Sequence, residues 1–526
     1  ASAAAEADVP VRSSTLSGAI LSAQVAEGDN DFKAMIAYYE QALGFDPGNK
    51  QFEQNLLVAL LTDGQFAAAL PYAEKLKTVA EVERVSRLAL AVDAINKSEW
   101  TEAEAYLKLA LQSDLDRLIT GLMTGWVKAG AGDGKGGAEF VESLRGPEWY
   151  DLFKVVHKAL ILDFAGDKAA AADAYEAAAG NPDSASAPDT WLRLMEAYAR
   201  FYARDGKSKE ALEVIGRATE IAPERPSLLA LKADIEAGKA IEPIFANART
   251  GAAEVLFGLG SAVRRDGSEG FAIMYLQLAL AANPESDVTL IQLAGIAENQ
   301  DRQLEAIALY DRIDKTSPFR RGAELQSGLN LADMDKKDEA VKTLTALIEE
   351  NPADTRAYLA LGGVYGSKKD YKAAAEVYER AVKSIGEPGR EDWNLFYQRG
   401  IANERIKNWP VAEASFKQAL KLFPDQPQVL NYLGYSWVDM NMNLDEALGM
   451  IRKAVDLRPD DGYIVDSLGW AYYRLGRFDE AVSELEKAIS LRPEDATIND
   501  HLGDAYWRAG RKLEARFQWQ HALDAK

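Results

Sequence analysis

Three histidines, an absence of cysteine and one glycine-rich run set the limits on what chemistry this 526-residue chain could do. His157, His501 and His521 are the side chains whose ordinary pKa lies near neutrality. His501 and His521 are expected on the two helices of one hairpin, where they could approach each other. Two histidines without cysteine make a poor metal site, so neither a metal nor a cofactor is expected. The lack of cysteine also removes disulfides and thiol catalysis. The run Ala129-Gly130-Ala131-Gly132-Asp133-Gly134-Lys135-Gly136-Gly137 superficially resembles a phosphate-binding loop. Such a loop needs Gly where Ala129 stands, Ser or Thr where Gly136 stands, and a preceding strand, so a flexible turn is the reading adopted. Carboxylates are numerous, but they fall mostly on helix faces expected to meet water. No spacing assembles a nucleophile, a base and oxyanion donors, and the chain is expected not to be an enzyme.

The elements that would position these groups repeat. Leu433-Gly434, Leu468-Gly469 and Leu502-Gly503 are successive copies of one point, and Pro284, Pro318 and Pro352 recur every 34 residues. A period near 34 with two amphipathic helices per period marks a stacked helical repeat. Val465, Leu468-Gly469, Tyr472, Ala481, Leu485 and Pro493 resemble the tetratricopeptide repeat pattern, as do Tyr358, Leu361-Gly362, Tyr365, Ala374 and Tyr378. Small residues are expected where paired helices touch and large ones in the gaps between them. The resemblance implies an all-α superhelical solenoid of about fourteen helix-turn-helix repeats. Proline closes each second helix because it cannot continue the one before it.

In such a solenoid the first helix of each repeat lines the concave face. The inward stripe is then Asn431 and Tyr435 in one repeat, Asp466, Trp470 and Tyr473 in the next, and Asp500, Asp504 and Trp507 in the last. These eight residues form the expected partner-binding groove, aromatic and acidic. Tyr and Trp give contact area at low entropy cost, while Asn and Asp bond peptide backbone or basic groups. The same acids would repel a free carboxylate, which argues against a chaperone-tail clamp at this end.

Composition bounds the partners. Hydrophobic content of 48% is ordinary for a folded protein, and no apolar run is long enough to span a membrane. The net charge is −22 and no basic stripe is visible, so nucleic acid is not expected as a partner. Four segments are expected: a disordered leader over 1–13, a degenerate repeat block over 14–237, a linker or crossover over 238–252 where the period breaks, and a regular block over 253–526. Residues 253–526 are expected to fold alone. The opening Ala1-Ser2-Ala3-Ala4-Ala5 carries the small residues that flank signal-peptidase sites. This predicts an exported, periplasmic or cell-envelope protein whose signal peptide has been removed. Membrane association would then come only through a lost N-terminal lipid anchor.

The C-terminal run Leu430-Asn431-Tyr432-Leu433-Gly434-Tyr435, Asp466-Ser467-Leu468-Gly469-Trp470 and His501-Leu502-Gly503 looks like a bacterial family of tetratricopeptide proteins. Some of its members, often lipoproteins, bind and activate a carboxyl-terminal processing protease in the envelope and deliver its substrates. The resemblance implies a protein-binding adaptor with a protein or peptide partner. A structural scaffold for envelope assembly or polysaccharide export is the alternative.

Overall fold

The computed structural model describes residues 12–109, 113–181, 187–264 and 269–525. Among them lie 29 α-helices and no strand. Residues 1–11 of the expected leader lie outside the described residues, as does Ala110 of the third repeat. Ser13 is held by its backbone N–H, which donates to Gln41 Oε1 at 2.8 Å.

The hairpins form as the repeat predicts. Asp461 follows Pro459 by two residues and accepts from the backbone of Tyr463 and Ile464 at 3.1 and 3.4 Å, capping helix Gly462–Arg474. One period on, Asp495 accepts from Thr497 and Ile498 at 2.9 and 3.0 Å and caps Ala496–Arg508. Such caps satisfy the free N–H groups of the first turn. Each of these two helix pairs then turns on a left-handed residue, Gly476 at φ +75° or Gly510 at φ +85°. Glycine at the repeat's central position permits the pair to touch: a Cβ on Gly469 would stand 2.5 Å from Leu485 Cγ. The glycine-rich run is a helix-to-helix turn in which Asp133 Oδ1 accepts from Gly136 N–H at 2.9 Å.

The chain forms two compact units, 1–330 and 331–526. The expected division at 238–252 falls inside the first. No helix covers residues 238–247, and the hairpin that follows opens with Ala248–Arg264. Helix Ala248–Arg264 packs against Asp114–Gly130 and Tyr150–Phe164, and helix Glu269–Ala282 packs against Lys50–Thr62 and Glu83–Asn96. These partners are the first helices of successive hairpins, so the chain lays a later hairpin along the groove of its own earlier repeats.

Close approaches fix that hairpin. A Cβ on Gly251 would lie 2.3 Å from the Trp126 ring, so only glycine admits this contact. Gly64, at φ +79°, lets Gln277 come against the turn, and Gln277 Nε2 donates to Thr62 O at 3.3 Å. Asn96 Nδ2 donates to Ala281 O at 3.0 Å. A buried ionic network completes the tie. Arg193 donates to both Glu254 oxygens at 3.2 and 3.1 Å and to Glu196 at 3.1 Å. Arg225 Nε and Ser227 Oγ also donate to Glu196. Buried charges hold only when paired and hydrogen-bonded like this.

The second unit is a regular stack from Lys337–Glu350 to the last pair, Ala496–Arg508 and Lys512–Asp524. Its core carries Phe416, Trp437, Ile451 and Leu485, each with almost no exposure.

Candidate functional site

Helices Pro427–Asp439, Gly462–Arg474 and Ala496–Arg508 are first helices of consecutive repeats and pack side by side. Together with residues of Trp393–Arg405 they wall an open cavity of about 390 Å3. Asn431, Tyr435 and Asp466 of the expected stripe line it, with Tyr432, Ser467 and His501 from two positions before each repeat glycine. Glu404, Trp409 and Tyr463 extend the wall.

The expected free acid at Asp466 is occupied. Asp466 is buried, and His501 Nδ1 donates to its two oxygens at 3.0 and 3.1 Å. The bond crosses from one repeat to the next and fixes the imidazole against the indole of Trp470. The ring centroids lie 4.1 Å apart with planes 16° from parallel. Tyr473 stacks on that indole as well, at 4.7 Å and 12°. Tyr473, Trp470 and His501 thus form a three-ring stack beside the cavity wall, and offset-stacked rings add to their area burial. Burial first, then the carboxylates of Asp439 and Asp466, raises the Tyr435 phenol above the ordinary value, so it is a neutral hydrogen-bonding group.

The three expected residues of the last repeat do not line this cavity. Asp500 is exposed. Asp504 accepts from Trp519 Nε1 at 3.2 Å, and burial followed by the neighbouring Asp500 charge raises its carboxyl. Trp507 leans on Trp519 with centroids 5.5 Å apart, under Lys512 at 5.0 Å. The eight-residue groove therefore divides into three cavity residues, two stacking residues and three at the end of the stack.

His501 engages Asp466 and Trp470 of the preceding repeat, and it does so as part of the cavity wall. The sequence presents it as a weak metal-ligand candidate beside His521 and gives no direct sign of that place in the wall. The signal for it is the repeat position it shares with Tyr432 and Ser467. Among the described residues no three His, Cys, Asp or Glu side chains converge as a metal site. No helix among them is long and apolar enough to cross a membrane. The chemistry on offer is hydrogen bonding and aromatic contact at an acidic surface.

Residues 325–388 and 397–462 match the family described as tetratricopeptide repeat, residues 20–49 match a second family of that description, and residues 469–510 match a TPR repeat family. The TPR repeat-containing protein PA4667 of Pseudomonas aeruginosa is 29% identical over 192 residues, 36% of this chain and 32% of that protein. The general transcriptional corepressor ssn6 of Schizosaccharomyces pombe is 26% identical over 144 residues, 27% of this chain and 13% of that one. The matched parts are thus a third or less of these relatives. A solved tetratricopeptide repeat protein from Parabacteroides merdae aligns at 16% identity and TM-score 0.36, over 46% of this chain and 93% of its own. The 34-residue period and the glycine contacts agree with these matches, which place tetratricopeptide repeats at residues 20–49, 325–388, 397–462 and 469–510.

Proposed function

We propose that this protein is a non-catalytic adaptor of the bacterial cell envelope that binds a carboxyl-terminal processing protease, activates it and presents its substrates. One observation carries the binding role: first helices of consecutive repeats wall an open acidic and aromatic cavity with Asn431, Tyr435 and Asp466 on its surface. Tetratricopeptide repeats bind protein or peptide partners, and a stacked repeat offers one long surface to an enzyme and a substrate segment together. The protease and the periplasmic setting rest on the resemblance of the C-terminal repeats.

The experiment is a pull-down from envelope extract, followed by affinity and protease-activity measurements on Tyr435→Ala and Asp504→Lys. Tyr435 lines the cavity, so its loss is expected to weaken binding by about 2 kcal/mol or more, roughly thirty-fold. Asp504 stands outside the cavity and serves as the contrast. Unchanged binding by folded Tyr435→Ala removes this cavity from the mechanism. Recovery of secretion or assembly proteins in place of a protease supports the scaffold alternative.

A further inference from the structure

The later hairpin does not fill the first unit's groove completely. Between helix Glu269–Ala282 and helices Leu16–Gly28, Phe32–Phe45, Lys50–Thr62 and Glu83–Asn96 lies an open cavity of about 800 Å3. That volume is within the range of sites that enclose a ligand. Its walls are apolar: Met35, Val85 and Met274 are buried, while Val58 and Phe271 are left 37% and 47% exposed. Large apolar side chains facing a built cavity mark a surface that another group covers.

Among the described lining residues the unpaired charge is negative. Glu27 and Glu81 line it, both exposed, and neither makes an ion pair among the described residues. Two cations near it among the described residues, Arg84 and Arg302, are already engaged. Arg84 lies 3.3 Å from Asp116 and stands over the Phe271 ring at 4.6 Å. Arg302 bonds Glu305 and Gln300 and stands over Phe32 at 4.8 Å. Two exposed carboxylates with no ion pair among the described residues repel fatty-acid and phosphate headgroups and attract ammonium or guanidinium groups. Asn30, Thr62 and Gln300 add uncharged polar groups to the lining.

We infer that this cavity is a second binding site, for a peptide segment in which one or two large apolar side chains adjoin a lysine or arginine. The apolar side chains enter between Val58, Val85 and Phe271, and the cation meets Glu27 and Glu81. The site lies wholly within the first unit and does not depend on the cavity at Asn431 and Tyr435.

A random-peptide display library panned on the full chain tests this. Recovered peptides are titrated by fluorescence anisotropy against wild type, Val58→Trp, the double variant Glu27→Lys/Glu81→Lys, and Tyr435→Ala. The expected result is a peptide class carrying an apolar residue beside Lys or Arg. Val58→Trp and the charge reversal each weaken its binding by about ten-fold or more, and Tyr435→Ala leaves it unchanged. Circular dichroism checks each fold, and the exposed Glu27 and Glu81 substitutions keep the test open where the tryptophan is not tolerated. Peptides that bind both cavity variants like wild type, that carry no basic residue, or that lose binding only with Tyr435→Ala overturn the inference. Recovery of no peptide overturns it too.

Discussion

The indole nitrogen of Trp126 donates to His157 Nδ1 at 3.1 Å, inside a core that encloses both rings. Because Nδ1 accepts, the imidazole is neutral with its hydrogen on Nε2. Burial alone pulls the His157 pKa down to about 3. The sign follows from linkage. The unfolded chain takes up a proton near the ordinary value of about 6.5, and the folded chain does not until far lower. The stability tied to this group is complete above that ordinary value and is lost as pH falls toward the folded one. The loss is about 1.4 kcal/mol per pH unit once the unfolded imidazole is charged. Urea unfolding at pH 7 and pH 5 is expected to show a smaller pH loss for His157→Gln, which does not titrate, than for wild type. Equal losses would show that His157 is not the neutral buried group described.

The network around Glu196 gives a second expectation. Burial pushes its carboxyl up, but the charges of Arg193 and Arg225 and the Ser227 hydrogen bond outweigh this and hold it below the ordinary value. Its contribution is present above the ordinary carboxyl value and is lost as pH falls through the depressed one. Glu196→Ala leaves Arg193 and Arg225 short of a buried partner, which is expected to cost about 3–5 kcal/mol. Chemical unfolding of the full chain at neutral pH measures it, and a loss no larger than that of an exposed Glu→Ala control would contradict the network's role.

The repeat glycines were legible because their cause is local. Leu-Gly pairs and closing prolines state the period directly, and the structure shows the reason: Gly434, Gly469 and Gly503 face Ile451, Leu485 and Trp519, each across one helix pair. Gly469→Ala is expected to destabilise by about 1–3 kcal/mol, because its new methyl meets Leu485 at the centre of the pair. Leu485→Ala should cost less in the Gly469→Ala background than in wild type. A thermal-unfolding double-mutant cycle reads that coupling, and additive losses would mean that the two side chains do not compete for one space.

What the sequence hid is non-local. Leu256, Leu259-Gly260, Ala272 and Leu276 carry the repeat pattern faithfully, so a regular block was expected to start there. The pattern says that helices Ala248–Arg264 and Glu269–Ala282 pair with each other, and they do. It does not say what their remaining faces cover, because packing against Trp126 or Thr62 leaves no periodic trace. The candidate site shows the same limit. The stripe rule names Asn431, Tyr435 and Asp466, which line the C-terminal cavity, but a bond from one repeat to the next, His501 to Asp466, depends on how two repeats rotate against each other.

That hidden packing reverses the expectation for fragments. Residues 253–526 begin inside helix Ala248–Arg264 and keep Val255, Leu256, Ile273, Met274 and Leu278 while removing the earlier helices packed against that hairpin. Residues 331–526 form the second compact unit and keep its core together. Each stranded large apolar side chain forfeits about 1.5–3 kcal/mol of burial and becomes a sticky surface. The fragment 331–526 is therefore expected to be helical by circular dichroism and monodisperse by size exclusion. The fragment 253–526 should bind an apolar dye strongly and elute as aggregate. A monodisperse 253–526 fragment without dye binding would show that the hairpin's packing on the earlier repeats is dispensable. It would then restore the boundary at 238–252 as the seam between two independent blocks.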